Sequence, residues 1–245
     1  MNMPLYESAP VRVRDDITAA HKRAWQRLSE AGTWWTGEQR VAIAAEARNA
    51  LGCSLCQERK AAVSPFAVEG DHQSLGVLPN PVVDVIHRIL TDPGRLTKRW
   101  YKQVLASGIS DTEYVEIVGV VVTLVVIDTF ARAIGVPTIE LPAAVEGEPS
   151  RIRPLSAKLE EAWVPMIAVS DAKGPEADLY RSEFTGNIQR ALSLVPNEVR
   201  GLSDLAAAHY VPFEKVVDVT FRRSISRPQM ELLAGRVSAL NNCFY

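Results

Sequence analysis

The sequence predicts an all-helical protein. Three observations carry this: apolar residues recur at the 3.6-residue spacing of amphipathic helices, helix caps are frequent, and strand-type alternation is nearly absent.

Residues 15–30 place Ile17, Ala20, Ala24 and Leu28 on one face and predict the first helix. Gly32-Thr33-Trp34-Trp35 is a turn. Thr36-Gly37-Glu38-Gln39 then sets a hydroxyl and an amide three residues apart, as a capping box requires. An Ala-rich helix is expected from Glu38 to about Lys60, with Cys53 and Cys56 in its last turns. Residues 61–80 contain Ser64-Pro65, Glu69-Gly70-Asp71-His72 and Pro79 and read as a loop. Asn80-Pro81 opens the next helix, and Asp92-Pro93-Gly94 closes it. Thr97 to about Ser107 is a short helix ended by Gly108. A second capping box, Ser110-Asp111-Thr112-Glu113, starts a long apolar helix that stops at Gly135. The β-branched runs 120–122 and 125–127 would also suit a buried strand, but the cap and Gly135 decide for helix.

Residues 136–154 carry Pro137, Pro142, Pro149 and Pro154 with few periodic apolar positions, the composition of a linker. It divides an expected N-terminal helical module, 1–135, from a C-terminal one, 155–245. In the second module helices are expected near 155–163, 187–194 and 202–210, with an irregular stretch around 171–176. The last helix starts at a third capping box, Ser226-Arg227-Pro228-Gln229.

Hydrophobic residues make up 47% of the 245 and charged residues 23%, a balance that supports a buried core. The net charge of −2 and the lack of any Lys/Arg block argue against a nucleic-acid partner. Met1 to Tyr6 lacks the features of a signal peptide. The longest apolar run, Ile117 to Ile127, is too short to span a bilayer and reads as a core helix. A cytoplasmic location without a membrane partner is therefore expected.

In a reducing compartment, Cys53, Cys56 and Cys243 cannot be a disulfide framework. A cytosolic C-x-x-C pair is more often redox-active or metal-binding. Peroxide reduction needs one thiolate to attack the O–O bond and a second thiol to resolve the sulfenic acid. Cys53 and Cys56, at i and i+3, supply both. Arg59 and Lys60 stand close enough in sequence to favour a thiolate. Glu46, seven residues before Cys53 on the same helical face, is the best-placed carboxylate relay, with Glu116 second. His72 in the loop and His87 on the following helix are the histidines that could fold over the pair. They are also the residues that could complete a four-ligand zinc site, a reading ranked below the redox one, so no metal or cofactor is expected. Two inert thiols packing a helix end is the plainest alternative. His21 and His209 read as structural.

Two segments are alike in composition. VAIAAEARNALGCSL at 41–55 and ELLAGRVSALNNCFY at 231–245 are Ala-rich helices running into a cysteine. The second, with Glu231 twelve residues before Cys243 and the run Ser238-Ala239-Leu240-Asn241, closely resembles the core motif of the alkylhydroperoxidase (AhpD-like) and carboxymuconolactone-decarboxylase superfamily. That motif continues with a second Cys and a His, whereas this sequence stops at Tyr245. The C-terminal module is thus expected to be cut short, with Glu231 and Cys243 as half a site. The first half is similar to the N-terminal part of larger two-part members through 53–60, 96–101, 113–121 and 128–135. There the C-x-x-C is complete, but Val41 replaces the motif's Glu and Lys60 its His.

The resemblance implies an AhpD-like helical fold of two related modules. It also implies a thiol-dependent peroxidase that takes a hydroperoxide or other small molecule, is recycled by a thiol reductant protein, and forms a homo-oligomer. The sister lyase branch, which works by acid/base residues without cysteines, is an alternative function, as is a non-catalytic helical assembly protein.

Overall fold

The computed structural model describes residues 5–181, 185–241 and 243. Helices dominate: α1 (Asp15–Ser29), α2 (Gly37–Ala50), α3 (Ser54–Ala61), α4 (Asn80–Thr91), α5 (Lys98–Ala106), α6 (Asp111–Ala133), α7 (Asn187–Arg190), α8 (Pro196–His209) and α9 (Arg227–Leu240). The only sheet among the described residues is a two-stranded antiparallel ribbon, β1 (Lys158–Leu159) and β2 (Pro165–Met166). The fold class is all-α.

All three capping boxes form. Thr36, Ser110 and Ser226 accept from the third helical N–H while Gln39, Glu113 and Gln229 reach back to the cap N–H. Each box satisfies two otherwise unpaired backbone donors, worth about 1 kcal/mol per helix start. The valine-rich stretch is helical throughout α6, and its buried stripe (Val115, Ile117, Val120, Val121, Leu124, Ile127) lies in the core. By length and composition α6 could cross a membrane, but just over half of its most apolar window is covered by the protein's own packing.

Helices α1, α2, α4, α6 and α8 pack around one core. Trp25, Leu28, Ile43, Ile86, Ile117 and Ile127 meet Leu194, Val195, Val199 and Leu205 from beyond residue 155. Residues 136–154 have no regular secondary structure, as a linker would, yet they are tied down. The Ser29 carbonyl accepts from Val145 N, the Thr33 carbonyl from Arg151 N, and the Glu140 carbonyl from the Trp25 indole.

Inside this core Arg40 bridges Glu116 and Glu198, both buried, and Glu116 also accepts from Trp34 N. Two glycines make room for it. A Cβ on Gly32 would lie 1.8 Å from Glu116 Oε1, and one on Gly119 2.3 Å from Glu198 Oε2.

Several boundaries differ from expectation. The helix expected over 38–60 is two helices, because the chain turns at Leu51-Gly52 and restarts at Ser54. Residues 155–163, expected as a helix, instead lead into the β1–β2 ribbon, and Leu155 is fully exposed. The helix expected over 187–194 is a single turn, α7, followed by turns. The one expected over 202–210 begins earlier, where Pro196 fits the first turn. The 61–80 loop holds one 3-10 turn, Pro65–Ala67.

Candidate active site

The break after α2 shapes the site. Gly52 N and Cys53 N close the end of α2 onto the Asn49 and Ala50 carbonyls, and Cys53 becomes the N-cap residue of α3. The cysteine pair therefore opens a helix rather than ending one. This suits an anionic sulfur, because backbone N–H groups at a helix start point toward it. Gln73 reaches across the loop to the new helix, its side-chain oxygen accepting from Ser54 N at 2.9 Å.

Both cysteines are free thiols, buried to 1% and 3% exposure. Two histidines, His72 and His87, fold over them. His87 Nδ1 lies 3.2 Å from Cys56 Sγ, and His72 Nδ1 lies 3.5 Å from Cys56 Sγ and 3.7 Å from Cys53 Sγ. The imidazole centroids are 4.3 Å apart. Each outer nitrogen meets a carboxylate: His87 Nε2 to Glu46 Oε1 at 2.9 Å, and His72 Nε2 to Asp84 Oδ1 at 3.0 Å. Two carboxylate–imidazole–sulfur chains thus converge on Cys56.

The carboxylates are anchored in turn. Glu46 accepts from Asn49 Nδ2, Ser74 Oγ and Leu75 N, which fastens the loop to α2. Asp84 accepts from the Trp100 indole and from Arg59, which also contacts His72 Nε2. A buried carboxylate without such donors would cost several kcal/mol, so these contacts allow Glu46 to remain ionised at full burial.

The electrostatics follow from the contacts. Burial opposes ionisation of Cys56, but hydrogen bonds from His72 and His87 outweigh it and bring the thiol down to about 6. The Cys53 thiol is also lowered. Burial works against this, and the backbone N–H groups of Cys56 and Gln73, with the His72 ring, prevail. For His72 burial disfavours the charge, yet Asp84 and the two sulfurs raise it to about 10. His87 is raised by Cys56 and Glu46 against the same burial. Glu46 stays below the usual carboxylate range despite burial, through His87 and its other donors.

Of the residues singled out in the sequence, Cys53, Cys56, Glu46, His72 and His87 come together. Glu116 does not: it pairs with Arg40 rather than with Arg48, Lys60 or the cysteines. Arg48 holds Asp128 instead. Glu231 and Cys243 lie toward opposite ends of α9. Glu231 is bound by Tyr210 and Arg227 near the start of α9, while Cys243 is exposed just past its end, on the order of 15 Å away along the helix. Sequence reasoning does not find Asp84, nor Gln73, Ser74, Asn49 and Trp100. Asp84 does carry a signal, since it stands three residues before His87 and so shares its helix face.

A cavity of about 150 Å³ borders His72, lined by Gly70, Asp71, Ser74, Asn80, Val83 and Asp84. Compared with family models, characterised proteins and solved structures, the chain matches none.

Proposed function

We propose that the chain is a thiol-dependent peroxidase that reduces a small hydroperoxide with Cys56 as the attacking thiolate and Cys53 as the resolving thiol. The observation that carries this reading is the chain Glu46–His87–Cys56. Glu46 fixes the His87 ring with Nε2–H toward itself, leaving Nδ1 to take the Cys56 proton, as a buried carboxylate orients a histidine base in acyl-transfer triads.

The thiolate attacks the terminal peroxide oxygen and the O–O bond breaks. The proton on His87 passes to the departing alkoxide, giving an alcohol and a Cys56 sulfenic acid. Cys53 then attacks the Cys56 sulfur. Water leaves with a proton supplied through His72, and a Cys53–Cys56 disulfide remains. His72 faces both sulfurs and suits this second transfer. A dithiol reductant returns the pair to thiols.

The test is hydroperoxide consumption by the reduced protein and by Cys53→Ser and Cys56→Ser. Both variants should lose turnover. Unchanged turnover in either contradicts the reading, and cysteine-independent processing of a carboxylated lactone would favour the lyase alternative.

A further inference from the structure

We propose that Cys53, Cys56, His72 and His87 form a closed binding site for one zinc ion. The four donor atoms lie within 4.8 Å of one another. Zinc at 2.3 Å from sulfur and 2.0–2.1 Å from imidazole nitrogen places tetrahedral donors about 3.3–3.8 Å apart. Three of the four sulfur–nitrogen separations here are 3.2, 3.5 and 3.7 Å.

The surroundings fit as well as the spacing does. Both histidines turn Nδ1 toward the sulfurs and give Nε2 to a carboxylate, Glu46 for His87 and Asp84 for His72. This outer arrangement fixes the tautomer and ring orientation of metal-bound histidines. Two thiolates balance the charge of a divalent ion, so the closed centre is neutral and can be buried. Thiolate and imidazole donors at tetrahedral spacing favour zinc over magnesium or calcium, which take oxygen. With four protein ligands and little exposure, no position is left for substrate. The centre would staple the 62–79 loop, through His72, to α3 and α4. That loop is poor in regular structure, with one 3-10 turn, and its tip contributes little to the core.

The site does not depend on peroxidase activity; only its release step rests on that reading. A sulfur bound to zinc is a weaker nucleophile than a free thiolate, so zinc slows oxidation of the pair without preventing it. The release reaction balances as two zinc-bound thiolates, one hydroperoxide and two protons giving the disulfide, an alcohol, water and free zinc. Two electrons pass from the sulfurs to the O–O bond, and the ion keeps its charge.

The experiment uses the full chain, purified reduced, stripped with a chelator and titrated with Zn²⁺ against a chromophoric competitor, with Co²⁺ as a spectroscopic probe. The expected result is one ion per chain, with tetrahedral Co²⁺ bands and sulfur-to-cobalt charge transfer. His72→Ala changes a loop residue and should keep the helical circular dichroism while abolishing the tetrahedral spectrum. Glu46→Gln should keep the stoichiometry but weaken affinity by about 10–100-fold. Adding hydroperoxide to the zinc form should release the ion as the disulfide forms.

Failure of the stripped, folded protein to bind either ion overturns the site, as does an octahedral Co²⁺ spectrum or full binding by both His72→Ala and Cys53→Ser. Tight zinc binding without hydroperoxide consumption leaves the site standing and removes the peroxidase reading. Consumption without metal binding does the reverse.

Discussion

The protein sets its four histidines in two pairs, each with one buried and one partly buried ring, and the pairs live in opposite environments. His72 and His87 sit over Cys53 and Cys56, and each gives its outer nitrogen to a carboxylate. His21 and His209 stack with centroids 4.8 Å apart and share a 2.6 Å Nε2–Nε2 contact. The other nitrogen of His21 meets the Tyr6 hydroxyl, and Phe130 packs edge-on to both rings. Among the described residues no carboxylate touches this second pair, although Asp16 lies near enough to oppose Arg14 and Arg223 electrostatically. Burial and its partner bring His21 down to about 3, and burial also lowers His209, while His72 and His87 are raised. Burial is common to all four rings. The partner of the second nitrogen decides whether a ring holds a proton, and so whether it can serve a reaction.

The two pairs separate most sharply in activity. Cys56→Ser should abolish hydroperoxide consumption, whereas His21→Gln should leave it within about twofold. A large loss from His21→Gln, in a variant that keeps its helical content, would mean that the two pairs are not independent.

Next is Glu46→Gln, which removes the charge behind His87. Loss of this relay should slow consumption about 10²-fold, within the range for general acid–base groups. It should also raise the Cys56 thiol above its value of about 6, read from thiolate ultraviolet absorbance against pH. An unchanged titration would show that His87 acts without its carboxylate.

The stacked pair should instead reveal itself in stability. The folded protein keeps His21 neutral down to about pH 3, while an unfolded chain takes up that proton near 6.5. Its contribution to stability is therefore complete above about pH 6.5 and is lost progressively as pH falls toward 3. His21→Gln should flatten that part of the pH–stability curve, at a cost of about 1–3 kcal/mol at neutral pH from the disrupted buried contacts. Urea unfolding across this range measures both.

A change remote from both pairs separates architecture from chemistry. Gly119→Ala places a methyl group against Glu198 and should cost about 1–3 kcal/mol of stability through overpacking. Thiol reactivity at Cys56 should be unchanged, since Glu198 serves the Arg40 network and not the cysteine site.

Much of this is legible in the chain itself. Caps are local chemistry, so Thr36, Ser110 and Ser226 announce their helices, and the Ser110 cap with Gly135 decides α6 against its strand-prone valines. The helix break at Leu51-Gly52 is visible only as one glycine inside an Ala-rich run. Residues 155–163 mislead because Leu155, Leu159 and Ala162 are spaced as on a helix, while Leu155 and Leu159 are in fact exposed. Glu46, His72 and His87 emerge on asking what could reach the cysteine pair. Asp84 does not, because its importance arises from tertiary packing: α4 lies against α3, and one turn of α4 presents both His87 and the carboxylate that holds His72. Glu231 and Cys243 come from a motif resemblance, and their placement brings neither to the buried pair.

On the proposed function the buried pair, not the accessible thiol, is the redox centre. Cys243 is exposed, while Cys53 and Cys56 are almost fully covered. If accessibility alone governed reactivity, Cys243 would be oxidised first. The direct measurement is mass mapping of metal-free reduced protein after one equivalent of hydroperoxide. A Cys53–Cys56 disulfide with Cys243 still a thiol is the predicted result; oxidation confined to Cys243, with the pair left reduced, would contradict it.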